Sequence, residues 1–409
     1  MNINDDTVEW PLATDPDAMA LFGSGDEEHI QNMTDADWEQ LGRDVANNTH
    51  LRRLTLTNRA LSDHRMSSMF RGLLEGGSIV MMELHDNRLS AAGIQSMVPF
   101  LQNANNLTFL DLDENNIQSE GFNMLFRALR DSPIETLNCN YCGIESIEIH
   151  SEHIPKHLAY LFLMNNFIKA DGCRDLAKLL LGSDSSLECL HLAYNKIDDD
   201  GVEILVDALQ SKNTALTSLK HLNLTGNHGI SKKGQIIALK LVNDISSIKA
   251  TFQSNHALHE LSVQLSDSDA QIQDHIDNAI EINSNSNPEA AGREKVIQTQ
   301  LNSDTRSKLA EIQGVSQSLY SEINPLHLPE VLVLVSRHHG QGELFIALKS
   351  SIAGVISTVN RKECLKQQRA VLKARLEAIE AEIASIEAAE EQIVDIGREA
   401  PSNNKRRRK

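Results

Sequence analysis

One pattern recurs seven times between residues 51 and 230 of this 409-residue chain: an apolar residue, then others three, five and ten positions later, with Asn in most copies at the eighth offset. The copies are Leu51-Leu54-Leu56-Leu61, Ile79-Met82-Leu84-Asn87-Leu89, Leu107-Leu110-Leu112-Asn115-Ile117, Ile134-Leu137-Cys139-Cys142-Ile144, Leu158-Leu161-Leu163-Asn166-Ile168, Leu187-Leu190-Leu192-Asn195-Ile197 and Leu219-Leu222-Leu224-Asn227 with Ile230. A degenerate eighth, Leu258-Leu261-Val263, closes the series. Start-to-start steps are 28, 28, 27, 24, 29 and 32 residues, too regular for chance.

Between most copies stand a Gly and a helical apolar pattern. Gly93, Gly121, Gly172, Gly201 and Gly234 mark the turns, and Met97 with Leu101, Leu125 with Leu129, Leu176 with Leu180, and Leu205 with Leu209 keep four-residue spacing. Each repeat therefore reads as one strand and one helix. Parallel strands pair about 4.8 Å apart and helices need about 10 Å, so stacking such units bends the array with the strands inside. The fourth copy is short, lacks the Gly and carries Pro155, which predicts an irregular connector there.

The pattern resembles the leucine-rich repeat in its ribonuclease-inhibitor-like class, with more distant similarity to Ran GTPase-activating proteins and NOD-like receptor repeats. The resemblance covers somewhat over half of the chain and implies an α/β fold: a horseshoe solenoid with parallel strands on the concave face and helices outside. It implies protein binding in general terms, since ribonuclease inhibitors bind a basic enzyme, innate immune receptors sense ligands and Ran GTPase-activating proteins act on a small GTPase. This chain has fewer repeats than the last group and no long acidic run after them, so none of that group's catalytic residues is carried over.

If positions four and six of each repeat face the core, positions three, five and seven face the concave surface. Repeats two and three then present Met81, Glu83, His85, Phe109, Asp111 and Asp113, with Asp86 and Glu114 just after, an acidic sector. Repeats four to six present Thr136, Asn138, Asn140, Tyr160, Phe162, Met164, Cys189, His191 and Ala193, with Tyr141 and Tyr194 just after, an aromatic sector. Three of the chain's four Tyr fall there. The candidate partner-binding residues are Glu83, His85, Asp86, Phe109, Asp111, Asp113, Glu114, Tyr141, Tyr160, Phe162, Met164, His191 and Tyr194, and the expected protein partner offers a basic patch and an apolar anchor. The plain alternative is cross-strand packing and a solvated charge cluster.

Other motifs reduce to scaffold. The Asn of each repeat is expected to satisfy backbone groups where the chain leaves the strand. Cys139 and Cys142 resemble a redox or zinc pair but occupy the Leu and Asn slots of repeat four, and no metal or cofactor is expected. No Gly-x-Ser-x-Gly, His-Glu-x-x-His or Walker motif occurs, so the expected function is a non-enzymatic scaffold or adaptor, with regulation of a small GTPase as the alternative.

The expected organisation is an acidic, largely disordered arm over 1–33, the solenoid with an N-terminal helical cap over 34–265, and a helical connector with an Asn/Ser linker at 283–288 over 266–325. An all-α, coiled-coil-like region or helical hairpin over 326–396 and a disordered basic tail over 397–409 complete it. Arg293 to Ile323 reads as helix. Phe345 to Val359 and Leu365 to Ile393 form two heptad stripes, slipped near 360–364, which suit self-association or fold-back. Net charge is −19, and the first fifty residues hold twelve acids and one base, which argues against a specific nucleic-acid surface. Lys405, Arg406, Arg407, Arg408 and Lys409 read as a nuclear-import signal, with the cytoplasm as the alternative address. No secretory signal or membrane-length apolar run is expected to direct the chain elsewhere.

Overall fold

The computed structural model describes residues 32–57, 61–73, 78–182, 185–211, 218–263 and 270–315, together with Lys373. The chain divides into two compact units, Met1–Gln317 and Ser318–Lys409. The heptad stripes and the basic run at 405–409 lie outside the described residues, so the architecture that follows is that of the first unit.

In every repeat the residues at positions three to five form a strand. These are β1 Arg53–Thr55, β2 Met81–Glu83, β3 Phe109–Asp111, β4 Thr136–Asn138, β5 Tyr160–Phe162, β6 Cys189–His191, β7 His221–Asn223 and β8 Glu260–Ser262. They form one parallel sheet in chain order. Register joins like repeat positions throughout: Leu54, Met82, Leu110, Leu137, Leu161, Leu190, Leu222 and Leu261 lie in one buried row. All length variation between repeats is thus absorbed outside the strands. Each side chain in that row is worth about 1.5–3 kcal/mol on burial, and a slip by one residue would turn the whole row outward.

Helices pack as a second layer: α1 Asp35–Asn47, α2 Asp63–Gly72, α3 Ala91–Asn103, α4 Gln118–Ala128, α5 Ala170–Leu181, α6 Asp199–Ser211 and α7 Lys232–Val242. Thr34 and Asp37 close a capping box at the start of α1. Gly42 and Gly72 let α1 and α2 touch backbone to backbone, since a Cβ on Gly42 would lie 2.0 Å from the Met69 carbonyl oxygen. Repeat four has no α-helix, only a 3₁₀ turn at Ser151–His153, as its short length and Pro155 predict. Ile147 and Ile149 fill the gap, and side chains of the flanking helices take over the missing backbone bonds: Glu148 N–H donates to Asn123 Oδ1 (2.9 Å) and Ile149 N–H to Asp175 Oδ1 (3.1 Å).

The Asn ladder behaves as the sequence predicts. Oδ1 of Asn87, Asn115, Asn166, Asn195 and Asn227 accepts the N–H of Leu61, Leu89, Ile144, Ile168 and Ile197, respectively, at 2.9–3.1 Å. Nδ2 of each donates to the position-six carbonyl of its own repeat and of the one before; for Asn166 these are Leu163 (3.0 Å) and Cys139 (2.9 Å).

After repeat seven come α8 Ile248–Gln253, α9 Ala270–Asn285, α10 Pro288–Lys295, a π-helical turn at Val296–Gln300 and α11 Ser303–Gln313. Two expectations change here. The Asn/Ser stretch is not an open linker: Asn283 is buried in α9 and donates to the Leu258 carbonyl (2.7 Å), and Asn287 caps α10 ahead of Pro288. The helix read from Arg293 to Ile323 breaks instead at the π turn, restarts under the Asn302 cap, and ends at Gly314 in the left-handed region (φ 66°).

Candidate functional site

The concave face is built by the strand residues flanking the buried row. Positions three and five are half-exposed in most strands, which places the predicted residues on one surface, although Met81, Thr136 and Ala193 are buried there.

In the acidic sector much of the charge is already engaged. Arg53, which the repeat-by-repeat reading of the sequence passed over, grips Glu83 with both ends of its guanidinium (Nε–Oε2 2.9 Å, Nη2–Oε1 2.6 Å), and Thr55 Oγ1 donates to the same carboxylate at 2.6 Å. Arg53 holds position three of repeat one, so the signal was present in the sequence. His85 Nδ1 lies 3.1 Å from Asp111 Oδ2; that hydrogen bond, against the cost of burial, raises the His85 pKa. Asp113 accepts the Asn140 N–H (2.7 Å) and Nδ2–H (2.9 Å), while burial and then the Asp111 charge push its pKa up to about 7. Asn140 Oδ1 in turn accepts the Met164 N–H at 2.6 Å, so one polar chain ties repeats three, four and five. Asp86 and Glu114 stand apart from this network, exposed on the rim.

In the aromatic sector Tyr160 and Phe162 are half-buried, and Phe162 lies tilted against His191 with ring centroids 6.0 Å apart. Asn223 Oδ1 accepts the Thr225 N–H, which orients Asn223 Nδ2 to donate to His191 Nε2 (3.0 Å) and leaves the proton on Nδ1. Burial lowers the His191 pKa, consistent with a neutral ring. Met164 is half-buried beside this row.

The residue after the strand-facing positions, position eight, adopts the left-handed conformation in six successive repeats: Asp86, Glu114, Tyr141, Asn165, Tyr194 and Gly226, with φ between 53° and 74°. Gly meets this requirement without cost and Asn with little; Tyr incurs about 1–2 kcal/mol. Tyr141 and Tyr194 are nonetheless there, 52% and 53% exposed. Tyr194 lies on the Gly226 backbone, where a Cβ would come 2.5 Å from the ring. Tyr141 and Phe167, the latter 46% exposed, line an open groove of about 670 Å³, with Arg88 and Glu114 also lining it. Lys196 Nζ sits 4.3 Å from the Phe167 ring centroid. Phe167 was missed because it follows the Asn slot, outside the strand positions that the alternation rule covers.

Cys139 and Cys142 are fully buried in the core, and Cys142 Sγ donates to the Leu112 carbonyl at 3.2 Å. Burial raises the thiol pKa of Cys139. Among the described residues, no three His, Cys, Asp or Glu side chains are grouped to hold a metal, and no helix is long and apolar enough to cross a membrane.

This geometry agrees with comparison to known proteins. The leucine-rich repeat family model matches residues 103–125, 183–206 and 215–234. Porcine ribonuclease inhibitor (Sus scrofa) is 26% identical over 205 residues, covering 41% of this chain and 45% of its own. NACHT, LRR and PYD domains-containing protein 5 of Homo sapiens is 23% identical over 46% of this chain and 14% of its own. Protein 14 of that series in Mus musculus is 32% identical over 42% of this chain and 18% of its own. The repeats of this chain are similar to leucine-rich repeats, and these matches support their ribonuclease-inhibitor-like class. The chain spans less than half the length of each of these relatives.

Proposed function

We propose that this protein is a non-enzymatic scaffold that holds a protein partner on the concave face and its rim. The observation that carries this reading is the pair Tyr141 and Tyr194: large aromatic side chains kept exposed on a backbone conformation that disfavours them. Neither is needed by the buried row or by the Asn ladder. Tyr141→Gly with Tyr194→Gly removes the rings and relieves the backbone, so thermal stability is expected to hold or rise while the principal partner, captured by affinity purification and identified by mass spectrometry, binds at least about 2 kcal/mol more weakly. Unchanged capture of every partner by the double variant would sink the reading.

The partner's basic patch meets a smaller field than the sequence implies, because Arg53 neutralises Glu83 and Asp113 is raised toward neutral pH. The exposed Asp86 and Glu114 supply the attraction, which salt screens beyond about 8 Å. Affinity is therefore expected to fall modestly between low and physiological salt, and a flat titration would leave an apolar contact alone. The heptad stripes supply self-association or recruit a helical partner, giving the adaptor its second arm. The basic run Lys405–Lys409 directs nuclear import; a fluorescent fusion lacking these five residues should lose nuclear enrichment.

A further inference from the structure

The groove that Tyr141 and Phe167 line draws on four successive repeats: Arg88 comes from the second, Glu114 from the third, Tyr141 and Gly143 from the fourth, and Phe167 from the fifth. The repeats stack in chain order, so a base is met first, then an acid, then the aromatic rings. Arg88, Glu114, Tyr141 and Phe167 are all exposed. What sets the two charges apart is that nothing engages them. Two residues past Gly143 and Phe167, Glu145 and Lys169 pair at 2.9 Å, and Lys196 is stacked on the Phe167 ring. Among the described residues neither the Arg88 guanidinium nor the Glu114 carboxylate has an ion-pair or hydrogen-bond partner, although they come from adjacent repeats.

We infer that this groove holds a short extended segment of the protein partner that carries a carboxylate, then a basic side chain, then an apolar one, read in either chain direction. The inference rests on the reading that the exposed aromatics bind a protein, and it adds the chemistry of the segment they bind. Repeats two and five are three steps apart at about 4.8 Å each, about 14 Å in all, and an extended chain covers about 3.4 Å per residue, so about four residues span them. The planar Arg88 guanidinium takes the carboxylate with paired N–H donors, and Glu114 accepts from the basic side chain. Tyr141 and Phe167 cover the apolar side chain, and Gly143 adds no side chain to obstruct it. A wholly basic segment would set a cation against Arg88, and a wholly acidic one an anion against Glu114. A wholly apolar segment would strip water from both charges and give nothing back. The groove is open, whereas small-molecule sites enclose most of their ligand, so it suits a length of chain.

Random linear dodecapeptides displayed on phage, selected on the intact protein and on its Arg88→Glu and Glu114→Arg variants, test this. Both positions are exposed, so both variants are expected to melt like wild type. Wild type should enrich an acid, a base and an apolar residue in that order or its reverse within about four positions. Arg88→Glu should exchange the acid for a base, and Glu114→Arg the base for an acid. Each peptide selected on wild type should bind either variant about tenfold more weakly. Enrichment of the same sequences on all three proteins, of sequences that lack either charge, or of none at all overturns the inference. So does a cellular partner captured equally by wild type and both charge variants; if Tyr141→Gly with Tyr194→Gly still loses that partner, the scaffold reading stands and only the groove assignment falls.

Discussion

The repeats and the helices that close them bury polar groups in opposite ways. Inside the repeats the buried polar side chain is a neutral amide, used once per turn and bonded on both sides, as Asn166 is with two N–H donors and three carbonyl acceptors. In the cap, charge is buried. Lys295 is fully buried, donates to the Val242 carbonyl at 2.6 Å and sits 3.2 Å from His256 Nδ1. Arg306, 3% exposed, bonds the Ile245 carbonyl and Gln300 Oε1. No carboxylate lies within ion-pair distance of Lys295 among the described residues. A repeated unit must reuse one solution that stacks on itself, and a neutral amide does so; a single-copy junction is free to use an ammonium aimed at carbonyls left open at the end of α7.

The largest test of that contrast is Lys295→Met. Burial pushes the Lys295 pKa down to about 7, whereas in the unfolded chain it returns to about 10.4. Between those values the unfolded state binds the extra proton, so wild-type stability falls as pH drops from about 10.4 to about 7 and then levels off. The difference between wild type and Lys295→Met, which cancels the other lysines, is expected to change by about 3–5 kcal/mol across that window in chemical denaturation. His256 adds a second acid-sensitive step: burial, then the Lys295 charge, lowers its pKa to about 4, so stability drops further between about 6.5 and 4. A difference that stayed constant with pH would mean that Lys295 keeps its proton at no cost.

The next test sets two asparagines against each other. Asn166→Ala strands the Cys142 and Ile144 N–H groups and the Cys139 carbonyl in the core and leaves the Leu163 carbonyl to Asn195 Nδ2 alone, with an expected loss of about 3 kcal/mol. Asn287→Ala removes one exposed cap from α10 and should cost about 1 kcal/mol. Equal losses by urea denaturation would show that the ladder carries no more than an ordinary cap.

That contrast also explains what the sequence discloses. All eight strands and their registers were legible, because each repeat restates the same burial pattern and errors in one copy are corrected by its neighbours. Even the degenerate Leu258-Leu261-Val263 stands in register. The irregular fourth repeat was legible from a missing Gly and a Pro. Nothing restates the cap, so Asn283 read as linker by composition when its partner, the Leu258 carbonyl, is 25 residues away. Site residues were legible as far as alternation reaches. Arg53 against Glu83 is a pairing between neighbouring repeats, and Phe167 on the rim depends on turn geometry, neither of which a period of two describes.

The smallest effect concerns the one repeat where the ladder itself is interrupted. Cys142 stands in the Asn slot; its thiol reaches the Leu112 carbonyl, but no hydrogen bond from Ile117 N–H meets it as Leu89 N–H meets Asn115. The chain adjusts locally: Gln118 takes a left-handed conformation (φ 57°), and its N–H donates to the Cys142 carbonyl at 2.9 Å. A non-glycine residue held there costs about 1 kcal/mol or more. Cys142→Asn has nearly the same volume and offers the missing acceptor, so it should restore the Ile117 bond and let Gln118 relax, raising stability by about 1 kcal/mol in denaturant titration. It also removes one of three buried thiols among the described residues without touching the concave face, so partner capture should be unchanged. If the variant were destabilised instead, the departure at residue 142 would be a packing requirement of the helix-free fourth repeat, and the ladder would be tuned repeat by repeat.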